Sequence, residues 1–319
     1  MIDFRDSNLY RESFDVSFGK LVGAGLKKDD ARILADSFAV SDCFGVRTHG
    51  SAMLDVYIDK IKNGFFNLEP RFLIERKTNS FSLIDGDDSI GAISARYCLD
   101  VAIEGAKKEG VYTVFSKNNN TLGAAFYYSL LAAEQGFICF VASNSPAQMA
   151  FPNSRVKMLG TNPFSIVFPT KKGYPIIVDM ATSATAKSKI KEYKENNMLL
   201  PDGWALDENC NPTNDPEEAL KGFLLPMAGF KGYAIALSID VMAGFLSGAS
   251  CLNNVGRFLG SERGMDVGFM MTVYDPKIIV ADDYYDKIDK YIDSIRSSCV
   301  DDDVILPGDD RVRFHSKMK

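Results

Sequence analysis

Apolar residues recur at helical spacing over residues 7–25 and again over 28–44, where Ala31, Ile33, Leu34, Phe38 and Ala39 fall on overlapping turns behind Asp29 and Asp30. Residues 57–63 keep the same period and stop at Gly64. The period then changes. Residues 72–74 and 81–88 read as strands joined by a polar turn at 77–80. A helix over 95–109 closes at Gly110, and from there strands and helices alternate: strand 111–115, helix 123–135, strand 137–142, strands 164–168 and 175–179, helix 182–196. Residues 198–222 are loop-rich, punctuated by Pro201, Gly203, Pro212 and Pro216. A helix over 229–246 is apolar on nearly every face. A strand at 267–274, an amphipathic helix at 282–297 and an acidic closing loop complete the chain. The alternation predicts an α/β layer architecture. The expected layout is discontinuous: a helical lobe over 1–75, a central α/β lobe over 76–224, and residues 225–319 returning to the first lobe.

Composition narrows the function classes. With 319 residues, about 75% of the unfolded surface can be buried. Lys and Arg number 36 against 42 Asp and Glu, a net charge of −6 with no compensating basic run, so nucleic acid is an unfavoured partner. No run of 18 apolar residues exists to span a membrane, and residues 1–10 lack a secretory pattern, so a cytoplasmic location is expected. Cys43, Cys98, Cys139, Cys210, Cys251 and Cys299 form no C-x-x-C pair and read as reduced thiols. His49 and His315 are the two histidines, so a zinc centre is not expected.

Four polar clusters sit at element ends. Gly45-Val46-Arg47-Thr48-His49-Gly50 follows a helix and offers an imidazole suited to proton exchange near neutrality, or a helix-end histidine bonded to a carbonyl. Residues 116–125 join a strand to a helix that opens with small residues, where backbone N–H groups and the helix dipole favour an anion such as pyrophosphate; an ordinary Asn-rich turn is the alternative. At 175–184 a strand delivers Asp179 to its carboxyl end, where open α/β sheets bind ligands, unless Asp179 merely caps the next helix. At 225–233, Lys231 lies in the first turn of an apolar helix, a placement that an anion would offset, or from which the side chain snorkels to solvent. Asp240 reads as a satisfied buried acid, Trp204 as packing, and residues 281–303 as a solvated face. Walker, Rossmann and G-x-S-x-G signatures are missing.

Taken in order, these segments resemble the type-2 malate/L-lactate dehydrogenase family, which includes L-sulfolactate dehydrogenase, ureidoglycolate dehydrogenase, diketogulonate reductase and cyclic-imine reductases. The resemblance rests on G-V-R-T-H-G (45–50), N-N-T-L-G-A-A (119–125), S-N-S-P-A-Q-M-A (143–150), L-G-T-N-P (159–163) and V-D-M-A-T-S (178–183). It continues through P-D-G-W-A-L-D (201–207), N-P-T-N-D-P-E-E-A-L (211–220), L-L-P-M-A-G-F-K-G-Y (224–233) and L-P-G-D (306–309).

The resemblance implies an L-sulfolactate dehydrogenase-like, non-Rossmann mixed-sheet nucleotide lobe beside a mainly helical lobe, in a homodimer with the active site near the interface. It implies hydride transfer between NAD or NADP and C2 of a small 2-oxo or 2-hydroxy acid or cyclic imino acid. His49 matches the proton donor, Thr48 stands where a serine is usual, and Asp179 supports the relay or cofactor. Thr121, Leu122, Gly123, Ala124, Ala125, Ser145, Thr161, Asp179, Met180, Ala181, Lys231, Gly308 and Asp309 match cofactor-contact positions. Asn120, Met53, Thr161 and Met149 match the substrate side. The chain departs from the family at Thr121, Phe230 and Phe269, where histidine is common (or tyrosine, at Phe230), and at Met53, where arginine is common. A nucleotide-binding paralogue with a scaffolding role is the alternative.

Overall fold

The computed structural model describes residues 4–172, 175–260, 264–281, 283–298 and 304–317. The N-terminal part is helical: α1 (Asn8–Gly23), α2 (Lys28–Cys43) and α3 (Leu54–Lys62). Ser7 caps α1 by accepting the Tyr10 N–H at 3.1 Å. Strands β1 (Leu73–Arg76) and β2 (Phe81–Asp85) follow, then α4 (Gly91–Glu109), β3 (Val111–Asn119), α5 (Ala125–Glu134) and β4 (Ile138–Ser143). Two short strands, β5 (Met149–Ala150) and β6 (Lys157–Leu159), precede β7 (Phe164–Phe168), β8 (Ile176–Met180) and α6 (Lys187–Glu195). The chain continues through β9 (Ala205–Leu206), α7 (Pro216–Lys221), β10 (Phe223–Leu224), α8 (Phe230–Ile239) and β11 (Val267–Tyr274). Helices α9 (Pro276–Val280), α10 (Tyr284–Arg296) and α11 (Asp309–Lys317) close it.

The large sheet has seven strands in the order β1-β2-β3-β11-β4-β7-β8. It is mixed: β2 and β3 run parallel and the other neighbours antiparallel. The strand at Val267–Tyr274, grouped above with the segment returning to the N-terminal lobe, is instead the middle strand of this sheet. The reason is its composition. All but its last residue are buried, and such an unbroken apolar run suits a position covered on both faces. Phe269 lies on it, 0% exposed. The segment just before does return: Val255, Phe258, Met265 and Val267 pack with Leu34, Tyr57 and Phe66 from the helical part.

A second, four-stranded sheet, β6-β5-β10-β9, was not expected: β9 falls within the loop-rich stretch 198–222, β10 directly follows it, and β5 and β6 lie between the expected strands 137–142 and 164–168. Its strands are two or three residues long and carry no usable period. Met149 is buried there with Leu159, Ile190, Leu224 and Ala236. The expected helix over 182–196 starts only at Lys187, because residues 182–184 are tied to neighbouring loops: Thr182 N–H donates to the Thr161 carbonyl at 2.9 Å and Ala184 N–H to Leu225 at 2.7 Å. The expected 229–246 helix is α-helical only to Ile239 and widens into a π turn at Asp240–Phe245. Asp240 is only half satisfied. Its Oδ2 accepts the Leu252 N–H at 3.1 Å, while Oδ1 is buried without a hydrogen-bond partner among the described residues, and burial raises the carboxyl pKa. In the acidic tail, residues 301–303 and Cys299 lie outside the described residues, and α11 was not anticipated. Trp204 packs edge-on against Tyr193. Among the described residues no helix is long and apolar enough to cross a membrane.

Candidate active site

Strand register brings the chemistry together. Asn119 pairs with Val267, Ser143 with Phe269, Ala142 with Phe164, and Phe164 with Met180. The carboxyl ends of β3, β4 and β8 therefore lie along one edge of the large sheet, the edge where such sheets bind ligands. A cavity of about 340 Å³ opens there. Its walls are the turn after α2 (Val46, Thr48, His49), the β3–α5 loop (Thr121 to Ala125), the end of β4 (Ser143 to Pro146), Thr161 and Pro163, Asp179 to Ala181, Ala186, the start of β11, and Arg311 from α11.

His49 is placed by the bend it sits on. Gly50 N–H donates to the Arg47 carbonyl at 3.1 Å and Ser51 N–H to the Asp42 carboxylate at 3.2 Å. A side chain at Gly50 would collide with the Asp42 carboxylate and displace it from the Ser51 N–H. The ring is exposed where it opens onto the cavity, yet protein crowds around it. That burial lowers its pKa below the ordinary value, and the Asp179 charge opposes the shift.

Asp179 is held at the end of β8. Burial raises its pKa, while Arg311 opposes this through its charge and a hydrogen bond from Nη2 to Oδ2 at 2.7 Å. The His49 charge and the Phe126 backbone N–H act in the same direction as Arg311.

Two helices point their N-termini at the cavity. Ala124 precedes α5 and Ala186 precedes α6; neither offers a capping side chain, and neither first turn contains an acid. The first-turn N–H groups and the positive dipole end at both places favour anions, and at α5 the Phe126 N–H already faces the Asp179 carboxylate. Lys187 adds a cation at the second. Its pKa is lowered by burial first, then by the nearby charges of Lys157, Arg257 and Lys191. The β3–α5 loop is rigid: Tyr128 donates to the Leu122 carbonyl at 2.6 Å, and Asn120 Nδ2 donates to Asp88 and to the Ser89 carbonyl. Across the cavity, Ser145 N–H donates to Asn162 Oδ1 at 3.1 Å and Asn162 N–H to Ser145 Oγ at 3.2 Å.

Of the residues singled out in the sequence, His49, Thr48, Thr121, Leu122, Gly123, Ala124, Ala125, Ser145, Thr161, Asp179, Met180 and Ala181 line this one cavity. Others lie elsewhere. Lys231 is exposed on the first turn of α8. Asn120 is buried and consumed in fixing the loop, its Oδ1 accepting the Met265 N–H at 3.1 Å. Met53 packs with the helical part, and Met149 lies in the core of the second sheet. Gly308 and Asp309 sit behind β8: Ile177 N–H donates to the Pro307 carbonyl at 2.9 Å, and Asp309 accepts from Arg296 at 3.0 Å. Arg311 and Asn162 were missed. Arg311 is three residues beyond L-P-G and 132 from Asp179, and no local pattern signals that contact. Asn162 stands inside the quoted L-G-T-N-P and could have been taken with Thr161.

Known proteins place this arrangement. The family model described as malate/L-lactate dehydrogenase matches residues 12–319. The chain is 35% identical over 306 residues to a malate dehydrogenase of Pyrococcus horikoshii, covering 92% of this chain and 84% of that protein. It is 35% identical over 290 residues to an L-sulfolactate dehydrogenase of Methanothermobacter thermautotrophicus, covering 91% and 84%. The solved sulfolactate dehydrogenase of Methanocaldococcus jannaschii superposes with a TM-score of 0.90 at 31% identity over 97% of this chain and 90% of that one. Sequence, fold and the strand-end cavity agree: the chain belongs to the malate/L-lactate dehydrogenase family and is a dehydrogenase of that type.

Proposed function

We propose that the cavity holds a nicotinamide dinucleotide, NAD or NADP, beside a small 2-oxo or 2-hydroxy acid or cyclic imino acid. Bound there, the cofactor supplies or accepts hydride at the substrate's C2. The donor set fits such a group: the N-terminus of α6 and the N–H groups that Asp179 leaves open at α5 suit its pyrophosphate, and the small side chains of Gly123, Ala124, Ala125 and Ala181 permit close approach of its rings and riboses. His49 gives a proton to the substrate oxygen or nitrogen in reduction and takes it back in oxidation. Thr48 stands beside the imidazole, and Asp179 supplies the negative charge that favours its protonated form. Ser145 and Thr161 offer hydroxyls on the opposite wall. The observation that carries this reading is that His49, Asp179 and both helix N-termini meet in one cavity.

The protein acts as a homodimer. The outer face of α8 and its π continuation leaves Phe230 73%, Val241 44%, Phe245 71% and Leu246 53% exposed, an apolar stripe suited to a second copy. Free, buried Cys43, Cys98 and Cys139 fit a reducing cytoplasmic setting.

The test is oxidation of NADH and NADPH by the purified protein against 2-oxo acids, 2-oxo sugar acids and cyclic imines, with His49→Ala in parallel. Turnover by the wild-type chain and a loss of about 10²–10⁴-fold in the variant are expected. Cofactor binding without turnover across the panel would favour the non-catalytic paralogue, and full hydride transfer by His49→Ala would remove the histidine from its role.

A further inference from the structure

We propose that Arg311 is a positioning residue of the active site: by clamping Asp179 against the start of α5, it fixes the charge that faces His49. The inference rests on the dehydrogenase reading and adds to it a residue from the last helix of the chain.

The geometry is a three-way lock. Arg311 Nη2 reaches Asp179 Oδ2 at 2.7 Å and the Asp179 carbonyl at 3.4 Å. The guanidinium lies 4.9 Å from the centre of the Phe126 ring, over a face that favours a cation. Phe126 is fully buried in the first turn of α5, and its backbone N–H favours the ionised form of the Asp179 carboxyl. One arginine thus ties β8 to the first turn of α5, two of the cavity's walls. The ion pair is shielded, with 17% of the Arg311 side chain and 16% of that of Asp179 exposed. Arg311 Nη1 is buried with no hydrogen-bond partner among the described residues. The contacts the side chain does make are those to Asp179 and to the Phe126 ring, at the cavity wall.

A carboxyl as enclosed as Asp179 tends to take up a proton, and Arg311 is the strongest charge opposing that tendency. Ionised, Asp179 favours imidazolium at His49; neutral, it does not. Arg311 accordingly acts on His49 through Asp179. The other groups nearby are placed differently. Arg47, on the same turn as His49, is exposed, and Asp42 on α2 is turned to Ser13 and to the Ser51 N–H. The helix that carries Arg311 is itself anchored, since Asp309 accepts from Arg296 at 3.0 Å and from Leu306 N–H at 2.8 Å.

The chain has two histidines, so the His49 imidazole can be titrated by NMR in the intact protein without turnover. We expect Arg311→Met to lower the His49 pKa, Asp179→Asn to lower it equally, and the double variant to lower it no further. Arg311→Lys, which keeps the charge, should restore most of the wild-type value. In reduction at a pH above the His49 pKa, each unit lost should cut kcat about tenfold, with the KM for the dinucleotide little changed. A rise in the His49 pKa on Arg311→Met would overturn the inference, since direct repulsion of the imidazolium would then dominate. So would an Arg311→Met effect that persists in full in the Asp179→Asn background, or one that appears only in the substrate KM. Because the titration needs no substrate, an inactive wild-type protein would count against the dehydrogenase reading and leave the Arg311 result standing on its own.

Discussion

Replacing Gly91 by alanine tests how firmly the β3–α5 loop is held. Gly91 opens α4 directly beneath Asn120 and Thr121. A Cβ built on it lies 2.5 Å from the Thr121 carbonyl carbon, and closer still to the Asn120 and Thr121 carbonyl oxygens. Tolerable contact begins near 3.4 Å, so helix and loop must part by roughly 1 Å (3.4 less 2.5). The obstacle is backbone, not the far end of a flexible side chain. Nor can the loop slide freely, since Asn120 is bonded to Asp88, Ser89 and the Met265 N–H. Overpacking of this kind costs about 1–3 kcal/mol. The cost is read as a fall in the urea midpoint at unchanged m-value. The displaced loop carries Thr121 to Ala125 into the cavity, and a misplacement of about 1 Å in a catalytic site can cost on the order of 10²-fold in rate. Gly91→Ala should therefore be both less stable and slower, with weaker dinucleotide binding. An alanine variant with the wild-type midpoint and dinucleotide affinity would show that α4 does not constrain the loop.

Three further outcomes follow from the same geometry. Because burial holds the His49 pKa below its ordinary value, neutral imidazole persists as the pH falls: kcat/KM for oxidation should hold to below about pH 6.5, whereas reduction weakens as the pH rises through the same pKa; an oxidation limb above that value would contradict the burial. Tyr127→Phe removes a 2.6 Å hydrogen bond to Asp36, whose carboxyl, despite its burial, is held below the ordinary range by Arg5, Tyr10 and Tyr127; unfolding should become easier by about 1.5–3 kcal/mol. The Asp36 contribution is complete above about pH 4 and is lost as the pH falls further, so the gap between wild type and variant should narrow in acid; a constant gap down to pH 2 would sink the assignment. Phe245→Asp, on the outer face of the π turn, should shift sedimentation from dimer to monomer, and an unchanged dimer would place the interface elsewhere.

Local pattern determined the long elements. Helices α1, α2, α4 and α10 and strand β2 were legible because amphipathic periods and glycine stops are local signals. The ordered motifs around His49, residues 119–125 and Asp179 likewise pointed to three walls of one site, since chemistry at strand ends follows from the order of elements. Only the tertiary structure decided what closes that site. The middle place of Val267–Tyr274 in the sheet depends on pairing with strands more than a hundred residues away. The contact of Arg311 with Asp179 spans 132 residues, and Lys231, Met53 and Met149, equally conspicuous in sequence, point elsewhere. A period reports which face of an element is apolar. It carries no information about which distant side chain will share a cavity, because that is set by strand register and helix docking.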